Sequence, residues 1–330
     1  MRQLETFAPP AGYLEQERLR FREDLVRFAA NRGAICDNQE PPFSMSLYTT
    51  PSERQSPSPD GSLPEYFSLL LFSTDPARIR EAVAAGVDAV LVDWENRGKQ
   101  QRQADADTEI NHDTLDDLRR VRAATDARVI CRINGYAAES TPGEVADATE
   151  AGADELLLPM ARSPEEVERT LTLAKGRAGV GMLIETTDAV RRVHEFAALP
   201  LARVYVGLND LAIERRTPNL FTAVADGTLE AVRRAISAPF GFGGLTLPER
   251  GWPIPCRLLI GEMARLGCSF SFLRRSFRAD TAGRDLRVEA PRIRQALAEA
   301  AARSPAAVAA DRRRLVEAIE AWRPKAAGAG

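Results

Sequence analysis

Short apolar runs alternate with amphipathic stretches along most of the chain. From about residue 65 to 285, runs with the length of a buried strand are each followed by a segment with helical spacing. The predicted strands are Tyr66–Ser73, Ala89–Trp94, Arg128–Ile133, Glu155–Pro159, Gly179–Ile184, Arg203–Leu208, Phe240–Leu245 and Ser269–Leu273. Near-continuous apolar strands are what a parallel sheet covered on both faces requires. Eight of them at intervals of about 25 to 35 residues predict an α/β protein built as a (β/α)8 TIM barrel. An open doubly wound sheet would leave the even spacing unexplained. Between the strands, Ile79/Val83 and Leu115/Leu118/Val121 have the spacing of helix stripes that cover a sheet.

The ends of the helical segments carry their own signals. Asp75-Pro76 opens a helix with an N-cap acid and a proline at the first helical position. Thr141-Pro-Gly-Glu144 and Ser163-Pro-Glu-Glu166 read as capping boxes. Gly86, Gly152 and Gly267 stand where a left-handed C-terminal turn is wanted. The phrases Ala85-Gly-Val-Asp-Ala-Val-Leu-Val92 and Ala151-Gly-Ala-Asp-Glu-Leu-Leu-Leu158 are near copies, an internal echo of one helix-turn-strand unit.

Two additions flank the expected barrel of residues 65–285. Residues 1–64 form an N-terminal extension, helical from Leu14 to Asn31 and then Pro/Ser-rich from Thr49 to Gly61. Residues 286–330 read as C-terminal helices broken at Ser304-Pro305, with Leu315, Ile319 and Trp322 on one face. That face must cover its own barrel or dock on a neighbouring subunit, and the sequence does not choose.

Composition narrows the chemistry. A formal net charge of -3 over 330 residues, with acids and bases interspersed, implies no nucleic-acid partner. No run approaches a membrane span, no signal peptide is visible, and a cytoplasmic, membrane-free protein is expected. Cys36, Cys131, Cys256 and Cys268 lack ligand spacing and read as reduced thiols. Only two histidines exist. His194 falls mid-helix and reads as a surface residue, and His112 stands just before a helix, so a multi-histidine zinc site or a serine–histidine triad has little to draw on.

Barrel active sites lie at the C-terminal strand ends, and the ionisable residues gather there. Strand five ends in Val180-Gly-Met-Leu-Ile-Glu-Thr186 and strand six in Val204-Tyr-Val-Gly-Leu-Asn-Asp210. If the strands are neighbours, Glu185 and Asp210 share one mouth. Hard divalent cations such as Mg2+ favour a pair of carboxylates and leave other positions to water and substrate. Helix capping is the competing explanation for either acid alone. Strand two ends in Val92-Asp-Trp-Glu-Asn-Arg-Gly-Lys99, and strand three in Cys131-Arg-Ile-Asn134. Arg132, inside an apolar run, must meet an anion: a substrate carboxylate, or Asp93 or Glu95 as an internal ion pair. Pro159 is a candidate pocket wall, and Asn209 orients a ligand or satisfies a turn. Gly243, Gly244, Arg274 and Arg275 follow strands seven and eight, where barrels often hold phosphate or a carboxylate. Close packing explains the glycines as well.

Taken in order, Val92-Asp-Trp-Glu95, Cys131-Arg-Ile-Asn134, Gly152-Ala-Asp-Glu-Leu-Leu-Leu-Pro-Met160, Leu183-Ile-Glu-Thr186 and Val206-Gly-Leu-Asn-Asp-Leu211 resemble the HpcH/HpaI aldolase and citrate lyase β-subunit superfamily. The resemblance is close over about residues 75–215 and loose elsewhere. It implies a barrel that forms or cleaves a carbon–carbon bond beside a pyruvate-like or acyl-CoA enolate with Mg2+ or Mn2+. It makes Glu185 and Asp210 the metal ligands, and Arg132 the partner of the substrate carboxylate and enolate oxygen. Asp93 and Glu95 match the acidic motif that positions the base or a metal-bound water. It further implies a homo-oligomer, a trimer or hexamer, in which the C-terminal helices have a role.

The chain departs from the family at Asn96, where relatives carry a histidine or aspartate. A neutral amide is no useful proton acceptor. Either a metal-bound water, Glu95 or Lys99 takes that task, or the usual aldol step is not run, with Asn96 left to bind substrate alongside Pro159, Asn209, Gly244 and Arg274. The leading expectation is a metal-dependent lyase or aldolase acting on a small 2-oxo acid. An acyl-CoA lyase of the citryl or malyl type and an oxaloacetate-type decarboxylase are the alternatives. A non-catalytic dicarboxylate-binding barrel is the reading from a different class.

Overall fold

The computed structural model describes residues 66–97 and 112–322. The helical stretch from Leu14 to Asn31, the Pro/Ser-rich segment, Cys36 and Lys99 lie outside the described residues. Each of the eight expected runs holds a strand: β1 (Ser68–Phe72), β2 (Ala89–Asp93), β3 (Arg128–Arg132), β4 (Glu155–Leu158), β5 (Gly179–Ile184), β6 (Val204–Val206), β7 (Phe240–Phe242) and β8 (Phe270–Leu273). They pair in parallel in the order β7-β6-β5-β4-β3-β2-β1-β8. The Ser269 N–H donates to the Phe240 carbonyl at 2.9 Å and brings the two ends of the sheet together. The result is a nearly closed (β/α)8 barrel with helices between the strands.

Alternation along each strand sorts side chains into two cores. Outward residues such as Val90, Val92, Val129 and Leu156 pack under the helices. Inward residues form a separate waist of Leu70, Ala89, Leu91, Ile130, Leu157, Leu183, Tyr205, Phe270 and Phe272. Two residues beyond this waist, the same inward parity is held by Asp93, Arg132, Glu185 and Arg274, so the mouth chemistry follows from the strand period itself. At the opposite end, Arg203 donates to Glu155 through Nε at 2.5 Å and Nη2 at 2.8 Å, both side chains buried.

The internal echo is physical. Gly86 and Gly152 both take positive φ, 92° and 94°, where a side chain is strained. Each is followed two residues later by an aspartate that accepts a strand-opening N–H, Leu69 to Asp88 and Val129 to Asp154. An arginine then holds each acid, Arg294 on Asp88 and Arg122 on Asp154. Two copies of one sequence phrase therefore tie β1 and β3 by the same device.

Helix starts follow expectation unevenly. Asp75 caps the helix Pro76–Ala84 by accepting from the Ala77 N–H. The two expected capping boxes do not form. The helix Thr141–Glu150 is capped by Ser140 without a side-chain hydrogen bond, because Thr141 accepts from Ala137 and Glu144 is taken by Asn134. At Ser163, Glu166 accepts from the Arg162 N–H instead. A complete capping box stands at Thr114 and Asp117.

The C-terminal helices lie on their own barrel. Helix Leu286–Ala301 buries Ile293 and Leu297, and helix Pro305–Ala321 buries Leu315 and Ile319. Arg312 donates to the carbonyls of Val224 and Ala225 and pairs with Glu230 and Glu262. Cys131, Cys256 and Cys268 are free and buried, His194 is exposed, and no described helix is long and apolar enough to cross a membrane. Leu315 is 1% exposed. Leu315→Ala is expected to cost about 2–5 kcal/mol, read as a lowered urea midpoint. A change within about 0.5 kcal/mol, as for a surface site, would mean the last helix is not packed in solution.

Candidate active site

The last register pair of β2 and β3 is Asp93 opposite Arg132. Arg132 donates to Asp93 through Nε at 2.7 Å and Nη2 at 2.6 Å, a bidentate fork. Its Nη1 lies 3.1 Å from Glu95 Oε2. All three are buried, Arg132 at 3%, Asp93 at 0% and Glu95 at 1% exposure. The two acids hold the guanidinium even more firmly protonated than usual, against the cost of burial. Thus the internal ion pair expected as an alternative is formed, and it engages both acids at once.

The β2 exit is built around that pair. Asp113 accepts the Asp93 N–H at 2.8 Å, and burial raises its carboxyl above the ordinary range. Asn134 Oδ1 accepts from the N–H groups of Asn96 and Arg97 at 3.0 and 2.9 Å. Glu144 holds Asn134 in turn through its backbone N–H and side-chain amide, and also pairs with Arg97. Asn96 itself is exposed.

Across the mouth, Glu185 is 2% exposed and accepts the Met160 N–H at 2.9 Å. Met160 takes a left-handed φ of 54° to present that N–H, a strain tolerated where the surroundings fix it. Gly207, the N-cap of helix Leu208–Glu214, leaves room for the acid, since a Cβ there would collide with the Glu185 carboxylate. Asp210 lies in the first turn of that helix, so Gly207 and not Asp210 is its cap. Thr186 caps the helix after Glu185. Capping therefore accounts for neither acid. Burial first, then the charges of Asp210 and Glu95, push the Glu185 carboxyl well above the usual carboxylate range.

Crowded carboxylates of this kind suit a hard dication, which would offset their repulsion. Among the described residues, no group of three or more His, Cys, Asp or Glu side chains forms a complete cage. Mg2+ characteristically asks for one or two carboxylates and keeps water or substrate in its other positions, so Glu185 and Asp210 fit that demand.

The third side of the mouth is aromatic and basic. Phe72, at the end of β1, packs edge-on to Phe272 with centroids 5.4 Å apart. The guanidinium carbons of Arg274 and Arg132 lie 4.4 and 5.3 Å from its ring centroid. Tyr205 stacks on Phe272 at 3.8 Å. Gly243 sits beside the Tyr205 hydroxyl, where a Cβ would come within 3.2 Å. Arg274 is half-buried while Arg275 is exposed.

Of the expected site residues, Arg132, Asp93, Glu95, Glu185 and Asp210 interact with one another, and Arg274 joins them through Phe72. Pro159 is buried at the β4 exit and Asn209 is half-buried beside Asp210. Gly244 has a backbone reason of its own, a φ of 105° with Leu259 where a side chain would go. Lys99 lies outside the described residues. Sequence reading missed Phe72, Tyr205 and the Met160 N–H. Strand parity would have flagged the first two, whereas the backbone twist at Met160 has no sequence signal.

A family model described as HpcH/HpaI aldolase/citrate lyase matches residues 67–239. It ends where the motif resemblance also thins. Among solved structures, the HpcH/HpaI aldolase from Desulfitobacterium hafniense DCB-2 is similar with a TM-score of 0.50 at 16% identity, covering 66% of this chain and 91% of that one. RipC from Yersinia pestis matches at 14% identity over 73% of this chain and 98% of that one, with a TM-score of 0.47. No curated protein sequence matches the chain.

Two outcomes follow from the charges. Arg132→Ala leaves Asp93 and Glu95 buried without their guanidinium and is expected to cost about 3–5 kcal/mol of stability, measured by denaturant titration. A raised Glu185 pKa means that the folded chain holds this proton more tightly than the unfolded chain does. The resulting destabilisation is absent below the ordinary value of 4.5 and grows as pH rises toward the folded value. In EDTA, Glu185→Gln should therefore raise the melting temperature at pH 7 and leave it unchanged at about pH 4. A lowered value at pH 7 would contradict the electrostatics.

Proposed function

Because the chain belongs to the HpcH/HpaI aldolase/citrate lyase family, we propose that this lyase or aldolase uses a divalent cation to make or break a carbon–carbon bond beside a small 2-oxo acid. The observation that carries the proposal is the convergence of Glu185 and Asp210, with Glu185 driven toward protonation first by burial and then by the charges of Asp210 and Glu95. Glu185 and Asp210 would hold Mg2+ or Mn2+. When bound, the ion supplies Lewis acidity at the substrate's carboxylate and ketone oxygens.

The chain's own residues supply the remainder. Arg132, fixed by Asp93 and Glu95, is a non-titrating donor beside the mouth, where an enolate oxygen develops negative charge. Since two acids orient it beforehand, it needs no rearrangement during the reaction. The Met160 N–H keeps one Glu185 oxygen directed, which leaves the other for the cation. Asn96 is exposed and neutral, so it can hydrogen-bond a substrate but not take its proton. The proton acceptor is Glu95, Lys99 or a water.

Titrating oxalate or pyruvate into the protein by calorimetry, with and without Mg2+ or Mn2+, tests the reading. Binding is expected only with metal, and Asp210→Asn should weaken it by at least about tenfold. It should also remove the metal-dependent gain in melting temperature. Equal binding in EDTA, or none in either condition, overturns the metal-assisted 2-oxo acid reading.

A further inference from the structure

Glu185 directly follows β5, whereas Asp210 rides on the short helix Leu208–Glu214. A cation shared by the two acids is therefore held only as well as that helix is held against the strand. Both ends of the helix are tied to residues that flank Glu185. At its start, the Gly207 N–H donates to the Ile184 carbonyl at 3.0 Å. At its end, Glu214 Oε1 accepts the Thr187 N–H at 2.8 Å. The stretch that carries one acid thus grips both ends of the helix that carries the other. Glu214 stands four residues after Asp210, one turn along the same helix face, so a swing at Glu214 passes to Asp210.

The β4 exit completes the clamp. Arg162 donates to Glu214 through Nη1 at 3.2 Å and Nη2 at 2.9 Å, and its Nη1 also reaches Asp188 at 3.1 Å. Just before it, the Met160 N–H holds Glu185, and the Ala161 carbonyl accepts from the Thr186 hydroxyl at 2.8 Å. Consecutive residues therefore touch Glu185, the residue after it and the helix of Asp210. Folding alone does not call for Arg162 and Glu214. The Arg162 side chain is 47% exposed, and exposed ion pairs add little stability. The Thr187 N–H is one of the first-turn donors that a helix leaves unpaired, and water serves such a group as well.

We infer that Glu214, backed by Arg162, is a positioning residue that sets the spacing of Glu185 and Asp210 and so the size of cation they accept. This rests on the metal-assisted 2-oxo acid reading. Glu214 acts through Asp210 and not by contact with the ion. Mg2+ demands near-ideal octahedral geometry with short bonds, whereas Ca2+ takes longer bonds and irregular shells. A helix released at Glu214 lets Asp210 drift, which penalises Mg2+ and spares Ca2+.

The test is calorimetric titration of Mg2+ and of Ca2+ into the full chain, beside melting temperatures in EDTA. Glu214→Ala removes the acceptor for both Arg162 and Thr187. It should weaken Mg2+ by about tenfold or more, as loss of an outer-shell partner does, and Ca2+ by less than about threefold. The melting temperature in EDTA should move by less than about 4 °C. Thr187→Pro deletes only the N–H, at a first helical position where proline is tolerated, and should reproduce the Mg2+ loss. Glu214→Gln keeps an oxygen for that N–H and should lose less than Glu214→Ala. Unchanged Mg2+ affinity in Glu214→Ala and Thr187→Pro overturns the inference. So do equal losses of both ions, which mark a merely structural strap. In either case Asp210→Asn still abolishes Mg2+ binding and the metal reading stands. Failure of Mg2+ to bind the wild type is a different result: it removes the metal reading and this inference with it.

Discussion

A guanidinium cannot shed its proton inside a protein, and Arg132 stands at 3% exposure at the end of β3. The cost of taking that charge from water is met only by acids in good geometry. Asp93 supplies a bidentate partner from its register position on β2, and Glu95 a second partner two residues on. Much of the mouth depends on this arrangement. It aligns the ends of two strands and turns the β2 exit inward. Asp113 and Asn134 then hold the backbone that follows. A shift of one residue in either strand would move an ion pair to the helix layer, so the electrostatics and the barrel register support each other.

Charge is consequently distributed unevenly around the rim. The β2/β3 side is internally paired, one guanidinium against two acids. The β5/β6 side gathers Glu185 and Asp210, and burial first, then the charge of Asp210, raises the Glu185 carboxyl. The β1/β8 side offers Arg274 against Phe72. Small backbone features maintain this division. Gly207 admits the Glu185 carboxylate where any side chain would exclude it, and Met160 accepts a left-handed conformation to donate to it. Neither residue brings reactive chemistry of its own, yet each fixes a group that does.

The same economy appears away from the mouth. The repeated phrase around Gly86 and Gly152 places an aspartate against a strand-opening N–H twice. The Glu155–Arg203 pair at the lower end of the barrel shows a second inward arginine held by an acid. Polar groups inside this barrel occur at its two ends, with an aromatic and aliphatic waist between them. The waist excludes water from beneath the mouth, and that low-polarity floor is what raises the Tyr205 phenol and the Glu185 carboxyl.

How much of this was legible in the chain depended on the range of the interaction. Eight strands, the glycine turns and the Asp75 cap follow from local periodicity and backbone sterics, which a few consecutive residues encode. The site acids were legible for the same reason: each closes an apolar run, and a strand end in a parallel barrel faces the mouth. The capping boxes at Thr141 and Ser163 were misread because a side chain chooses between a local N–H and a distant partner. Asn134 and the loop at Arg162 outcompeted the helix starts. Whether Arg132 would meet substrate or its own acids, and whether Asp210 would cap or converge, depended on which strands became neighbours. So did the placing of Arg274 and Tyr205 around Phe72. The sequence by itself determined the barrel and the kinds of charge at its rim. Only the tertiary structure decided which charges meet one another, because those pairings depend on distances between strands far apart in the chain.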